Sequence, residues 1–359
     1  MALAEARGQN SEVRSQSSEA GGTGQLAPTL RDLERAVRQA LAHPPGDGTP
    51  PATLDLSGLV LDPPRIGECT LVEGARLAAI AVDEPHTVGF DAFLDGVQRS
   101  HVVDYAGAIP IVAGRSAAVV RVRVNRRMTT WADGHVSQTR LYAPVALVPR
   151  DALGAIQASG LELRNTLPDK KETSGHPIEL LRFAVDAVKR DREKLERDLA
   201  ELWVVQGTGD RGLGTVGTLF VDGGLPTGDL ASTSMGCVGV IKSHHTIYAA
   251  GDSLPVILAL GEAERSSVFV IQRAWGPPVL SWYLRLREPP SHDPFMGLVR
   301  VEVARAAILD DVSALSERAD AVSRWILAER APLALPDARW DRMVYGIRDC
   351  EEYLRATAS

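Results

Sequence analysis

The sequence predicts an α/β protein: a mixed β-sheet flanked by helices, preceded by a disordered amino-terminal tail. Three observations carry that reading. Segments rich in β-branched residues and in apolar–polar alternation fill residues 70–149, a long helical pattern occupies 176–205, and a second series of strand-like runs follows it. The 359 residues, 45% hydrophobic and 24% charged, are enough to bury one large core or two modest ones.

Residues 1–27 are rich in Ser, Gly, Glu and Ala and hold almost no large apolar side chain, so they cannot offset the entropy of ordering. This stretch is the expected disordered tail. Thr29 then caps a helix whose apolar residues Leu30, Leu33, Val37 and Leu41 form one stripe, and Pro-Pro-Gly at 44–46 stops it. Such a stripe must pack on something. The runs "AAIAVDE", "TVGFDAFLDG", "VQRSHVVDYA", "SAAVVRVRVN" and "YAPVALVPR" read as strands between Gly and Pro signals, and their short connections imply antiparallel neighbours. "HPIELLRFAVDAVKRDREKLERDLAELWVV" spaces its apolar residues for a helix of about eight turns, with Pro177 near its start. Beyond it, "VGTLFVDGG", "CVGVIKSHHTIYA", "SSVFVIQRA", "LSWYLRLRE" and "GLVRVEVARA" read as strands. "DVSALSERADAVSRWILAE" and "DRMVYGIRDCEEYLRATA" read as helices.

Composition excludes several classes. The longest apolar stretches, "AAVVRVRV" and "APVALV", fall short of the roughly 20 residues that span a bilayer, and Met1 opens no secretory signal. A soluble, cytoplasmic protein without membrane contact is expected. A net charge of −7 excludes a protein that coats nucleic acid non-specifically but leaves room for a local basic groove. Arg99, Arg115, Arg121, Arg123, Arg126, Arg127 and Arg140 fall in one stretch, and Arg121 and Arg123 alternate with valines as an exposed strand face would. Cys69, Cys237 and Cys350 form no CxxC pair, so neither a zinc knuckle nor a disulfide framework is indicated.

Two apolar runs end on the same dipeptide: "AFLDG" places Asp95 before Gly96, and "LFVDG" places Asp222 before Gly223. Either alone is the ordinary signature of a tight turn. Their order adds information: three strands joined by short turns, the first ending in Asp95, then a long acidic helix, then a strand ending in Asp222. In an RNase H-like fold that order sets the first and fourth strands side by side at the centre of the sheet, where two carboxylates would meet. Hard divalent ions take oxygen ligands, and two ions about 4 Å apart can hold the attacking and leaving oxygens of a phosphodiester displacement. The glycines would let substrate or metal-bound water approach closely. A third carboxylate is expected from the long helix. Glu193, Glu196 and Glu201 are candidates, and Glu196 is preferred because it lies beside Leu195 and Leu199 on the sheet-facing side. Arg192, Lys194 and Arg197 would supply ordinary helix ion pairs.

These motifs carry a family resemblance. "AFLDGVQRS" resembles the first Asp-Gly motif of the NurA nucleases, "LFVDGGL" the second, and "GVIKSHHTIY", "LSWYLRLRE" and "GLVRVEV" the strands that follow, over residues 85–355. The resemblance implies a nuclease domain over 28–359 with an RNase H-like core. It implies a deoxyribonuclease with a two-metal site for Mn²⁺ or Mg²⁺, acting on DNA ends or single strands. It further implies a homodimer working beside a HerA-type hexameric ATPase in DNA end resection, repair or phage defence. Carried over by position, Asp95 and Asp222 match the two strand-end metal ligands, and an acid on the 186–201 helix, by preference Glu196, matches the glutamate between them. Lys242 matches a lysine beside the active site that neutralises the scissile phosphate; a lysine snorkelling from an apolar strand is the alternative. The family's fourth ligand is a histidine or acid on the last helix. "VYGIRDCEEYL" has no histidine, so Asp349, Glu351 or Glu352 would serve, and Glu351 is preferred because Tyr345, six residues before it, matches the start of the terminal motif.

The remaining features have duller readings. "GTGDRG" at 207–212 matches a dinucleotide fingerprint but has a helix before it and a strand after it, the reverse of what that motif needs, so it reads as a loop. His244 and His245 are adjacent and on a strand would face opposite sides. Trp282 and Tyr283 beside Arg285 and Arg287 could stack bases and hold phosphates, but aromatic residues in strands usually belong to a core. The rival functional class is a catalytically silent adaptor that docks onto a ring ATPase, which has no need of crowded carboxylates.

Overall fold

The structure, a computed structural model, describes residues 29–41, 63–168, 173–206, 217–249, 251–288, 293–305, 311–330 and 342–357. The expected tail over 1–27 and the glycine-rich loop at 207–212 lie outside these residues. In chain order the elements begin with helix α1 (Leu30–Ala40) and strands β1 (Arg65–Gly67), β2 (Thr70–Leu71), β3 (Ala79–Ala81), β4 (Ala92–Ala106), β5 (Ile109–Val124) and β6 (Arg127–Ala143). Next come α2 (Arg150–Ala158), β7 (Leu163–Asn165), α3 (Pro177–Gln206), β8 (Leu219–Asp222), β9 (Cys237–Ile241), β10 (Thr246–Tyr248) and α4 (Leu254–Leu258). The chain continues through β11 (Glu264–Ser266), β12 (Phe269–Ile271), β13 (Val279–Arg285) and β14 (Leu298–Ala304) to α5 (Val312–Ala328) and α6 (Tyr345–Ala356).

One large mixed sheet holds most of the strands, in the order β2-β12-β13-β14-β9-β8-β4-β5-β6-β7, with β11 joining β13 to β3; β1 and β10 pair separately. Strands β4, β5 and β6 are antiparallel, whereas β8 lies parallel to both β4 and β9. The series β6-β5-β4-β8-β9 is the RNase H-like arrangement expected from the sequence, and β4 and β8, the first and fourth of its strands in chain order, are the central neighbours. Successive residues point to opposite faces. Phe93 and Phe220 face α5 and α6 with Trp282, Val322 and Ile347, while Leu94 and Val221 face α3 with Leu199 and Trp203. Helices cover both faces, which is why these central strands read as unbroken apolar runs.

The chain departs from the sequence reading in several places. "TVGFDAFLDG" and "VQRSHVVDYA" are not two strands but one, because β4 continues through Gly96: Asp95 pairs with Val119 and Gly96 with Ala118. Asp95 therefore does not end a strand. It stands where β4 loses its other neighbour, since the β4·β8 ladder closes at Leu94 and Val221. "YAPVALVPR" is a strand only to Ala143, because Pro144 has no amide to donate, and Val145–Leu147 form a 3₁₀ turn. "CVGVIKSHHTIYA" divides into β9 and β10, so Lys242, His244 and His245 lie between strands. "SSVFVIQRA" breaks at Ser267 and Val268, between β11 and β12. Helices α2 and α4 and strand β7 are too short for a periodic signal.

The arginine-rich stretch alternates as expected, but its inner part is not a solvated face. Arg121 donates through Nε to Asp349 of α6 at 2.5 Å, and Arg123 grips Glu329 with two bonds of 2.7 Å. "LSWYLRLRE" is core. Trp282 donates to Ser323 Oγ at 3.0 Å, and the buried Arg285 donates to the carbonyls of Leu258, Leu260 and Pro294. At the other end of the sheet, the Thr29 and Asp32 side chains form a reciprocal cap on α1. Leu33 and Val37 of that helix pack on Val103, Ile111 and Leu141, so its apolar stripe is covered within the chain. Among the described residues no helix is long and apolar enough to cross a membrane.

Candidate metal centre

Because β4 and β8 run parallel, their carboxyl ends leave the sheet core on the same side. Asp95 follows the last β4 residue paired to β8, and Asp222 is the last residue of β8. Helix α6 crosses β4 closely. Gly346 lies so near the Phe93 ring that a Cβ there would strike it, and Cys350 donates to the Phe93 carbonyl at 3.4 Å. That crossing brings Glu351 over the two aspartates. One carboxylate oxygen each from Asp95, Asp222 and Glu351 lie within 4.8 Å of one another, with Asp95 and Glu351 buried. The neighbouring acids of α6 are engaged elsewhere: Asp349 binds Arg121, and Glu352 pairs with Arg348 at 2.7 Å in solvent.

Helix α3 approaches from the opposite face and sorts its three candidate glutamates by rotation. Glu196 packs its carboxylate against Gly96, where a Cβ would collide with it. Glu193 is half exposed beside Lys189 and Arg192. Glu201 accepts the Leu230 and Ala231 amides at 3.1 and 2.8 Å and holds that loop. The two glycines thus have different reasons. Gly96 leaves room for a protein carboxylate rather than for substrate, and Gly223 adopts φ +126°, a conformation L side chains rarely take. Past Gly223, the Leu225 amide donates to Glu302 of β14 at 2.9 Å, and Arg300 holds Glu302 at 2.5 Å. The turn that carries Asp222 is thereby anchored on a buried ion pair.

Crowding of like charges sets the electrostatics. Burial, then Asp222, Glu196 and Glu351, push the Asp95 carboxyl well above the usual carboxylate range, with Lys242 opposing. Burial and the nearby Asp222 and Glu193 raise Glu196 to about 7, against the pull of Arg192. Lys242, one residue past β9 rather than inside it, places Nζ 2.9 Å from Asp222 Oδ2. Arg355 lies 2.8 Å from Glu351, and Arg192 pairs with Glu196 while its Nε donates to Gln98 at 3.1 Å.

Asp95, Asp222 and Glu351 line a cleft of about 960 Å³ whose walls carry Arg192, Lys242, Arg342 and Arg355 as well as His244 and His245. His244 stacks on Phe295, with ring centroids 5.3 Å apart, and its Nε2 contacts the Leu298 carbonyl at 2.9 Å. The sequence reading singled out neither Arg342 nor Arg355, and it took Arg192 for an ordinary helix partner. The i,i+4 spacing of Arg192 to Glu196 and of Glu351 to Arg355 was a signal, but one shared with any charged helix.

The donor set tests what such a centre could hold. All its groups are carboxylates, the ligands of hard cations such as Mg²⁺ and Mn²⁺, and the raised Asp95 carboxyl marks a place that calls for positive charge. The nearest thiol, Cys350, is committed to a carbonyl and pushed far up by burial, so a thiolate ligand is absent from this donor set. Asp95, Asp222 and Glu351 would hold the cation, with Glu196 adjoining from α3.

No family model matches this chain, and no curated protein matches it. Among solved structures, that of the NurA nuclease from Sulfolobus solfataricus aligns over 81% of this chain and 86% of its own, at 10% identity and a TM-score of 0.32. An overlap that loose and an identity that low do not define a shared family.

Proposed function

We infer that the chain is a metal-dependent nuclease that hydrolyses phosphodiester bonds in DNA. The observation that carries this reading is the meeting of the Asp95, Asp222 and Glu351 carboxylates within 4.8 Å beneath a cleft walled by four cationic side chains. Crowded carboxylates serve a divalent cation, and a cationic wall serves a polyanionic strand. Mn²⁺ or Mg²⁺ in a two-metal site would supply Lewis-acid polarisation of the phosphoryl oxygen and activation of water. The chain's own residues supply placement. Lys242 neutralises charge at the scissile phosphate, Glu302 pre-sets the turn that carries Asp222, and Gly96 admits Glu196.

The resemblance read from the sequence extends the proposal to a cytoplasmic homodimer acting on DNA ends or single strands. Its partner would be a HerA-type hexameric ATPase, in end resection, repair or phage defence. A silent adaptor would have no use for three carboxylates brought within 4.8 Å of one another. The test incubates the purified protein with labelled single- and double-stranded DNA in Mn²⁺, Mg²⁺ or EDTA, beside Asp95→Asn. Cleavage in Mn²⁺ that EDTA or the substitution abolishes is expected. Wild-type protein that leaves both substrates intact with either metal would overturn the reading.

A further inference from the structure

Three of the four carboxylates at the centre each hold a cation of the cleft. Asp222 holds Lys242 at 2.9 Å, Glu351 holds Arg355 at 2.8 Å, and Glu196 holds Arg192. All three cations line the cleft, and two of them, Arg192 and Arg355, have no other assigned role. Asp95 sits in the field of Lys242 and accepts the Gly96 amide at 2.8 Å. In the absence of a divalent ion these side chains neutralise the cluster in the manner of internal counterions.

We propose that Arg192 and Arg355 are phosphate-binding residues for a nucleic-acid strand in this cleft, masked by Glu196 and Glu351 until a divalent cation held by Asp95, Asp222 and Glu351 offsets the charge of those carboxylates. The proposal rests on the nuclease reading and adds a coupling to it: metal binding and strand binding favour one another. The physics is an exchange of partners. A carboxylate that bonds a guanidinium offers it a charge-assisted contact as strong as a phosphate would, so a strand must compete with the protein's own acid. A cation between Asp95, Asp222 and Glu351 draws the Glu351 oxygens away from Arg355, and its charge beside Glu196, which already feels the field of Asp222, offsets the pull of that carboxylate on Arg192. Each guanidinium then turns its planar fork to the strand, where a phosphate accepts it bidentately. The helix places both arginines for this. Arg355 is one turn after Glu351 on α6, with its side chain 57% exposed at the mouth of the cleft. Arg192 is one turn before Glu196 on α3 and borders two clefts, the large one and a smaller one of about 280 Å³ that also includes Asp222 and Gly223. A strand passing between the clefts would cross Arg192 at the point where Asp222 divides them.

The test is a binding measurement that needs no turnover. Fluorescence anisotropy of a labelled single-stranded oligonucleotide is recorded in EDTA and in Ca²⁺, a divalent ion that occupies oxygen sites. Wild-type protein should bind about tenfold more tightly in Ca²⁺, with a steeper dependence on salt, because released cations displace counterions from more phosphates. In EDTA, Glu351→Gln should bind several-fold more tightly than wild type, and that gain should vanish in the Arg355→Ala background. Glu196→Gln and Arg192→Ala should behave the same way. Removing either arginine should lower the salt slope in Ca²⁺ by about one. A gain from Glu351→Gln that persists undiminished without Arg355 would reflect net charge alone and would overturn the masking. Equal affinity in EDTA and Ca²⁺ would overturn it too, as would failure to bind in every arm. Circular dichroism melts confirm that each variant is folded. Coupling in the binding arms without cleavage in Mn²⁺ would remove the nuclease reading and leave the masking standing, whereas cleavage without coupling would do the reverse.

Discussion

The Glu196 carboxylate occupies the space that a side chain at residue 96 would need, so Gly96 and Glu196 act as one unit across the β4–α3 interface. Gly96→Ala keeps an extended residue in the ladder, and the atom it would strike is the mobile end of a side chain. Stability should hardly change. Displacing Glu196 should slow Mn²⁺-dependent cleavage on the order of 10²-fold, the cost of misplacing one group by about an ångström. Parallel melting and rate measurements check this, and a variant with wild-type rate would detach Glu196 from the centre.

Gly239→Ala is the contrasting case. Its Cβ would meet the Leu225 backbone amide, which is bonded to Glu302 and cannot move aside. Destabilisation of about 1–3 kcal/mol is expected, measured by chemical denaturation. Cleavage should fall as the turn carrying Asp222 shifts.

The two aspartates should behave alike in catalysis and differently in stability. Asp95→Asn and Asp222→Asn should each abolish Mn²⁺-dependent cleavage. In EDTA, Asp95→Asn should raise the melting temperature, because burial and three neighbouring acids already disfavour its charge. Asp222→Asn relieves the same crowding but strips Lys242 of its partner, so its melting temperature should change less. A drop on Asp95→Asn would count against the repulsion.

Metal-free stability should fall with rising pH. Glu196 has its ordinary value of 4.5 when unfolded and about 7 when folded, so the folded chain binds the extra proton between them. The contribution is fully present below 4.5 and is lost as pH rises through about 7. Melts in EDTA across that window should show a downward trend that Glu196→Gln flattens. Protons compete with the cation over the same range, so Mn²⁺ affinity, followed by calorimetry, should rise with pH.

On the last helix, Glu351→Gln should need several-fold more Mn²⁺ for half-maximal cleavage. Glu352→Gln should match wild type, since its carboxylate pairs with Arg348 in solvent. Asp349→Asn should cost stability through Arg121 without changing the metal requirement. A Mn²⁺ titration of the three variants decides, and an altered requirement for Asp349→Asn alone would shift the register of α6 by two positions.

Local pattern was enough for much of this molecule. The alternating runs, the 3.6-residue period of α3 and the Thr29 cap each depend on near neighbours along the chain, and the order of strands and helix around Asp95 and Asp222 limits which strands can adjoin. Three things depended on tertiary packing. Gly96 could end a strand or continue one, and it continues because β5 offers an unbroken partner in Val119 and Ala118. Arg121 and Arg123 alternate like a wet face, yet α5 and α6 arrive from two hundred residues away with Glu329 and Asp349 to meet them. The choice of Glu196 among the α3 acids, and of Glu351 among those of α6, lies in how far each helix is rotated about its axis. Neighbouring residues on a helix differ by about 100°, a sequence of charges repeats its pattern on every side, and only the docking of apolar contacts such as Gly346 on Phe93 sets which carboxylate faces the centre.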